Sequence, residues 1–198
     1  MKFSIEWLKY FLETDASVQE IADTLNAIGH EVEGIEDPAE KLAGFTVAEV
    51  LTAGPHPDAD KLQVLSVSTG EGEPLQVVCG APNVRVGGLY PFARVGTTLP
   101  GDLTIKKAKI RGESSEGMLC SAQELGLGHD QAGLLELPAG VTPGASVVDV
   151  LSLRDHRFDV EVTSNRGDLL SHLGIAREVA PGGHASLRLP EIPGATGL

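Results

Sequence analysis

The strongest constraint on the fold is a series of five short β-type segments in the middle of the chain, separated by Gly, Pro and Asp residues. These segments lie at 46–52, 61–68, 75–79, 89–95 and 103–111. Five strands of this length are what a small Greek-key barrel of the OB type requires. The chain's 24 Gly and 12 Pro residues supply the turns. We therefore predict an OB-type β-barrel at 43–148, with a short helix at 121–127 and a late strand or covering segment at 134–137.

Helical signals precede this barrel. Ser4 can cap a short helix, and Ser17 with Glu20 forms a capping box for a second helix that ends at Gly29. The apolar side chains expected on the inner faces of the two helices are Trp7, Leu8, Phe11, Leu12, Val18, Ile21, Ala22, Leu25 and Ile28. An alternating segment at 31–35 then predicts a short strand.

A mixed pattern returns after the barrel. Residues 158–163 alternate between apolar and polar types as in a strand, and Asp168 is placed to cap a helix that runs to about residue 179. Each chain end needs a partner surface, so we predict that 1–42 and 149–198 form one discontinuous unit into which the barrel is inserted. The expected fold class is α+β. The last residues, P-G-A-T-G-L, are predicted to be a loop-like tail.

A basic block follows the fourth β-type segment. Lys106, Lys107, Lys109 and Arg111 are four of the chain's 15 Lys and Arg residues, in a protein whose formal net charge is −13. In an extended strand, Lys107, Lys109 and Arg111 would share one face because side chains alternate with period two. Gly112 would break the strand, and Ser114, Ser115 and Gly117 would form a turn able to hold a phosphate or a ribose. The alternative is an edge strand whose lysines discourage aggregation.

A second block, at 55–64, has turn chemistry. Pro55 and Pro57 flank His56, and Asp58 and Asp60 can bond their local backbone. A structural turn that holds Lys61 at a strand entrance is the favoured interpretation. A metal site at His56 is disfavoured because no further His or Cys stands at ligand spacing.

Arg166 lies in a turn with Asn165 and Asp168. It is a candidate contact for phosphate or for a partner subunit. The alternative, which we favour, is a surface ion pair with Asp168 in a turn whose composition needs no further function.

These motifs resemble a known family. H-P-D-A-D-K-L at 56–62 and K-A-K-I-R-G-E-S-S-E-G-M-L-C-S-A at 107–122 resemble the tRNA-binding OB domain of several synthetase-associated proteins. Other segments resemble, in the same order, the N-terminal region of bacterial phenylalanyl-tRNA synthetase beta subunits. They are S-I-E-W-L-K-Y-F at 4–11, V-V-C-G-A-P-N-V at 77–84, E-L-G-L-G-H-D at 124–130 and E-V-T-S-N-R-G-D-L-L-S-H-L-G-I-A-R-E-V-A at 161–180. The resemblance extends to about residue 180.

The resemblance implies a fragment of phenylalanine–tRNA ligase, an aminoacyl-tRNA synthetase. In that family the alpha subunit of an alpha2-beta2 assembly activates the amino acid, and the editing and anticodon-binding domains lie beyond the N-terminal region. We therefore expect ATP and Mg²⁺ for the parent enzyme, with no cofactor and no catalysis in this fragment. The expected tRNA-binding residues are Lys61, Asn83, Arg85, Lys106, Lys107, Lys109, Arg111, Ser114 and Ser115.

Other functional classes find no support in the sequence. The G-x-x-x-x-G-K-[ST], G-x-S-x-G and H-E-x-x-H signatures are absent. No apolar run approaches the roughly 20 residues of a membrane helix, and the N-terminus lacks the features of a signal peptide. Cys79 and Cys120 lack C-x-x-C spacing and suit small buried side chains in a reducing compartment. We expect a cytoplasmic protein with no metal, no membrane and no DNA partner.

The acidity of the chain leaves the role of the barrel open. With a pI of about 4.8, the whole chain should repel RNA. The aromatic residues of the barrel, which could stack on bases, are Phe45, Tyr90 and Phe92. The barrel is therefore either a weak, localised tRNA contact or a structural module for subunit assembly. A free-standing tRNA-binding OB protein is a further alternative.

Overall fold

The computed structural model describes residues 1–182 and 185–190, and the chain divides into two compact units. One unit comprises Met1–Pro38 and Asp155–Leu198, and the other comprises Ala39–Arg154. None of the helices in the described residues is long and apolar enough to cross a membrane. The predicted tail at 193–198 lies outside the described residues.

The first 38 residues contain two capped helices. Their elements are β1 (Lys2–Ser4), α1 (Ile5–Phe11), β2 (Leu12–Thr14), α2 (Val18–Ala27) and β3 (Val32–Glu36). The Ser4 hydroxyl accepts a hydrogen bond from the Trp7 amide, and Ser17 and Glu20 form a reciprocal capping box. Gly29 follows α2 with a φ of 93°, a conformation that favours glycine at a helix end. Both predicted caps are confirmed.

The second unit is a nearly closed five-stranded antiparallel barrel. Its strands and the hairpin between them are β4 (Phe45–His56), β5 (Ala59–Ser68), β6 (Leu75–Cys79), β7 (Leu89–Arg94), β8 (Ala108–Ile110), β9 (Glu113–Ser115) and β10 (Gly117–Leu119). The sheet order is β10–β7–β4–β5–β6, and β8 and β9 form a separate two-stranded sheet. Bonds from the Glu116 amide to the Gln76 carbonyl (2.9 Å) and from the Val78 amide to the Ser115 hydroxyl (3.1 Å) draw β6 toward β10.

The predicted fifth strand is wrong. The segment 103–111 contributes only β8 to a separate hairpin, and the fifth strand of the barrel is β10. Gly117 fits here because a Cβ atom would lie 2.2 Å from Cζ of the buried Phe92 ring. The predicted helix at 121–127 is a series of turns. The segment at 134–137 is not a strand, but its buried Leu134 and Leu137 side chains agree with the alternative of a covering segment.

The barrel core lies between the strands and a short helix. The largest fully buried side chains of this unit are Phe45, Tyr90, Phe92, Leu42, Leu65 and Leu125. The short helix, α3 (Val147–Val150), adds two buried valines to the cluster around Phe45. Burial raises the pKa of Cys120 to about 12, so this thiol stays protonated and packs as a small apolar side chain.

The last described segment completes the first unit. Its elements are β11 (Arg157–Val160), α4 (His172–Val179) and β12 (Ala185–Leu187). Strand β11 lies between β1 and β3, and β12 pairs with β2. Both chain ends therefore contribute to one sheet and to one core, whose buried members include Phe3, Leu8, Ile21, Leu25, Phe158 and Ile175.

Two details of this unit differ from the prediction. Ser171, not Asp168, caps α4, because the Ser171 hydroxyl accepts from the Gly174 amide while the Asp168 carboxylate is bonded to Arg166. Trp7 and Ile28, both expected on the inner faces of the helices, lie outside the core, with 60% and 41% of their surfaces exposed.

Arg166 is held by ion pairs within its own unit. Its Nη2 atom lies 2.9 Å from Asp168 and 2.7 Å from Glu178. His30, which is buried, approaches the same Glu178 carboxylate at 3.3 Å. Hydrogen bonds from Arg166 lower the pKa of both carboxylates. These contacts agree with the structural interpretation of this turn.

His172 stacks on the exposed Trp7 ring. The two ring centroids are 4.1 Å apart at an angle of 22°, and His172 Nε2 faces the Ser4 amide at 3.4 Å. An unprotonated Nε2 accepts from that amide, whereas a protonated one cannot. Partial burial lowers the pKa of His172, and the Asp155 carboxylate offsets only part of this effect.

We expect His172 to titrate below its ordinary value of about 6.5. Because the folded state disfavours the proton, this group's contribution to stability is complete above pH 6.5 and is lost as the pH falls through the folded-state pKa. Trp7 is the chain's one tryptophan, so its fluorescence should report the titration through quenching by the imidazolium. His172→Gln should abolish the titration and His129→Gln should not. A midpoint above pH 7 would contradict the prediction.

Candidate nucleic-acid interface

The two motif blocks of the sequence meet at one end of the barrel. His56 is the last residue of β4, directly before the β4–β5 turn, and the β8–β9 hairpin belongs to the connection between β7 and β10. His56 Nε2 donates to the Ile110 carbonyl at 3.0 Å, and its Nδ1 accepts from the Asp58 amide at 3.0 Å. The His56 side chain is buried. The two ring nitrogens of His56 therefore connect the basic hairpin to the first turn of the barrel by hydrogen bonds.

The hairpin closes with a tight turn at Arg111 and Gly112. Their φ values are 46° and 101°, and the register pairs Ile110 with Glu113, which leaves two residues in the loop. Positive φ at both central residues is the geometry of hairpin turns whose twist matches the strands. The Arg111 guanidinium, at the hairpin tip, donates to the Asp58 carbonyl at 3.4 Å.

The cations do not form the three-residue face that the sequence predicted. Strand β8 covers only Ala108–Ile110, and Arg111 leaves it in a left-handed conformation. Lys107 donates to the Glu116 carboxylate at 2.8 Å. Lys106 and Lys109 are exposed, and no ion pair to either is found among the described residues. Lys61, at the start of β5, is exposed as well.

The two candidate serines occupy different environments. Ser114 lies opposite Lys109 in the hairpin and is half-buried. Ser115 is buried; its hydroxyl accepts from Val78 and donates to the Gly117 carbonyl at 3.0 Å. These contacts give Ser115 a role in closing the barrel. The predicted serine-rich turn is a strand.

Asn83 and Arg85 belong to a different part of the unit. The Asn83 side chain donates to the Leu134 carbonyl and accepts from the Leu134 amide, both at 2.9 Å. Arg85 forms a 2.6 Å ion pair with the exposed Glu136 carboxylate. Both residues therefore hold the segment at 134–136, and their side-chain hydrogen bonds and ion pairs within the described residues do not reach the basic hairpin.

Sequence reasoning missed the neighbours of the cations. Gln76 donates to the Glu113 carboxylate at 2.9 Å and to the Ser114 carbonyl at 3.1 Å. Glu113 and Glu116 add negative charge beside the hairpin lysines. A signal was present in the E-S-S-E spacing, which places a carboxylate at each end of the serine pair.

The negative charge of the chain is unevenly divided. The barrel unit contains nine Lys and Arg against 13 Asp and Glu, whereas the other unit contains six against 15. Most of the acidic excess thus lies outside the barrel unit. Four of the barrel unit's nine cations lie within residues 106–111. Local attraction of a phosphate is therefore compatible with a net charge of −13, because salt screens charges beyond about 10 Å.

The barrel unit matches a known protein family. The family described as "Putative tRNA binding domain" matches residues 45–146. The phenylalanine–tRNA ligase beta subunit of Zymomonas mobilis is 51% identical over 197 residues, which are 98% of this chain and 25% of that protein. The beta subunit of Gluconobacter oxydans is 51% identical over 190 residues, 95% of this chain and 23% of that protein.

The chain spans about a quarter of the length of these relatives. Among solved structures, a MetRS-related protein from Pyrococcus horikoshii has 24% identity and a TM-score of 0.39, with coverage of 52% of this chain and 87% of that chain. The tRNA-binding family matches slightly more than half of the chain, and the beta subunits match nearly all of it. The chain therefore belongs to the tRNA-binding domain family, and throughout its length it resembles the N-terminal region of phenylalanine–tRNA ligase beta subunits.

Proposed function

We propose that the chain is the N-terminal part of a phenylalanine–tRNA ligase beta subunit and that its barrel contacts tRNA through the basic hairpin. The observation that carries this proposal is the pair of hydrogen bonds by which His56 connects the hairpin to the β4–β5 turn. OB folds bind oligonucleotides with the loops that connect the first two and the last two strands. The β4–β5 turn and the β7–β10 connection are those loops in this barrel.

The phosphate contacts are assigned to Lys106, Lys109 and Arg111. The two lysines are exposed, and the two-residue turn holds Arg111 at the hairpin tip. Lys61 and Ser114 are secondary candidates on the adjoining strands. Lys107 forms an ion pair with Glu116. Asn83, Arg85 and Ser115 support the barrel through the contacts described above.

The activity of the parent enzyme belongs to the same proposal. As a part of a cytoplasmic phenylalanine–tRNA ligase, the chain would serve ATP- and Mg²⁺-dependent attachment of phenylalanine to its tRNA. Its partners would be that tRNA and the alpha subunit in an alpha2-beta2 assembly. The names of the relatives and the tRNA-binding family support this assignment.

We further propose the domain arrangement with the boundaries expected from the sequence, 42/43 and 148/149. The compact units of the structure divide four residues earlier and six residues later, at 38/39 and 154/155. In the proposed arrangement, residues 1–42 and 149–198 form a discontinuous α+β domain that carries the barrel at 43–148. The pairing of β11 with both β1 and β3 supports this arrangement, because it places the two chain ends in one sheet.

A charge-matched comparison tests the tRNA contact. Replacing Lys106, Lys109 and Arg111 together by Gln should weaken tRNA binding roughly tenfold at low salt and lower the log–log salt slope by about two to three units. Replacing the exposed Lys2, Lys9 and Lys41 by Gln removes the same charge elsewhere and should leave the slope nearly unchanged. Fluorescence titrations at several salt concentrations measure both quantities. Equal effects of the two variants would instead favour a barrel that serves subunit assembly.

A further inference from the structure

An apolar groove of about 660 Å³ lies beside the basic hairpin. It is bounded by the segment at 102–110, by β10 and by Val78 of β6. The apolar side chains that line it are Val78, Leu103, Ile105, Ala108, Ile110 and Met118. Leu103 is 58% exposed, and Ala108 and Ile110 share one side of β8 because side chains alternate along a strand. The groove thus presents an aliphatic surface to the outside of the barrel.

Polar groups stand at the edges of this groove. Lys106 lies in its lining and is exposed, and the lining also includes Asp102 and Thr104. Asp102 has a φ of 60°, and the Thr104 hydroxyl is 3.0 Å from the Thr98 hydroxyl. The lining also includes Ser115, so the aliphatic cleft has one cation and three oxygen-bearing side chains. This set matches a nucleotide, which combines an apolar base face, polar base edges and a phosphate.

The barrel has no exposed aromatic surface on which a base could stack. Its three aromatic side chains, Phe45, Tyr90 and Phe92, are fully buried in the core. Single-stranded RNA is recognised through unstacked bases, which pack against aromatic or other apolar side chains. A base near the hairpin cations can therefore pack on the Arg111 guanidinium plane or on aliphatic side chains, and the groove supplies the aliphatic side chains.

We propose that this groove receives one unstacked nucleobase of the bound tRNA, with the adjoining phosphate on Lys106. This assignment rests on the proposed tRNA contact and adds a base-dependent part to it. The base packs between Leu103 and Met118, and the carboxylate of Asp102 accepts from a base amino group. The charge of Lys106 favours a nucleotide over an apolar peptide as the occupant.

A base-deletion cycle tests the groove with the full chain. The probes are two short single-stranded RNAs of equal length and charge, one with normal bases and one with an abasic site at its central position. The unaltered chain should bind the normal RNA roughly fivefold more tightly than the abasic RNA, as for a modest base-packing contact. Leu103→Gln changes no charge and, at an exposed position, should preserve the fold. In this variant the two RNAs should bind equally.

Leu51→Gln is the matched control, since Leu51 is 38% exposed and lies outside the groove lining. It should retain the fivefold preference. Equal binding of both RNAs by the unaltered chain would overturn the groove assignment, and so would a preference that survives Leu103→Gln. If the Lys106, Lys109 and Arg111 variant still loses tRNA affinity in that case, the phosphate contact stands without the groove. Both proposals are overturned if tRNA affinity survives the Lys106, Lys109 and Arg111 substitutions and the base preference survives Leu103→Gln.

Discussion

Phe158→Ala is expected to destabilise the unit formed by the two chain ends by about 3–5 kcal/mol. Phe158 lies in β11, the central strand of the three-stranded sheet, and its side chain is fully buried. Its ring stacks on Phe3 at a centroid distance of 5.1 Å. The substitution therefore removes one of the largest core side chains and leaves a cavity between strands from opposite ends of the chain.

Trp7 fluorescence during urea unfolding measures this effect within the affected unit. With a urea dependence of about 1–3 kcal/mol per molar for small proteins, the midpoint should fall by more than about 1 M. Leu170→Ala serves as the control, because Leu170 is 66% exposed and should change the midpoint little. A Phe158→Ala midpoint equal to that of the control would refute the proposed common core.

Gly117→Ala is expected to destabilise the barrel by about 3 kcal/mol, at the upper end of overpacking costs. A Cβ atom at this position would lie 2.2 Å from Phe92 Cζ and 2.8 Å from the Ala93 carbonyl oxygen. Phe92 is fully buried, so its ring has little room to move. The clash falls where β10 pairs with β7, which makes the fifth strand the first element to be displaced.

Amide hydrogen exchange of β7 and β10 peptides measures the loss of barrel stability. Gly54→Ala provides a strand control, because a Cβ atom there has no neighbour within 4 Å. Exchange should accelerate strongly in β10 and β7 of the Gly117 variant and only slightly in the control. Unchanged protection of β10 in the Gly117 variant would show that the strand tolerates a side chain at this position.

Four of the five barrel strands could be predicted because their signals are local. The segments at 46–52, 61–68, 75–79 and 89–95 coincide with β4, β5, β6 and β7 to within a few residues, since alternation and turn residues mark them. The helix caps at Ser4 and Ser17 are equally local. In contrast, β10 has three residues and begins with Gly, so its strand character comes from pairing with β7.

In the candidate site, too, features formed by residues close in sequence could be predicted, and contacts between residues far apart in sequence could not. The residue types and their clustering at 106–111 were visible in the sequence, and so was the turn at 55–60. The bond between His56 and Ile110, which are 54 positions apart, was not. The sequence pattern predicted a straight strand through Arg111, where the chain instead turns.

The position of β11 also determines the order in which the chain can fold during synthesis. The amino group of Met1 donates to the Val160 carbonyl, and β3 pairs with β11 across 120 intervening residues. The three-stranded sheet therefore cannot form before residue 160 has left the ribosome, whereas the strands of the barrel are complete by residue 119. Until then, the apolar faces of α1 and α2 have no sheet to cover them. A newly made chain thus still exposes these two helices when the barrel strands are complete, and exposed apolar surface of this kind is what chaperones protect.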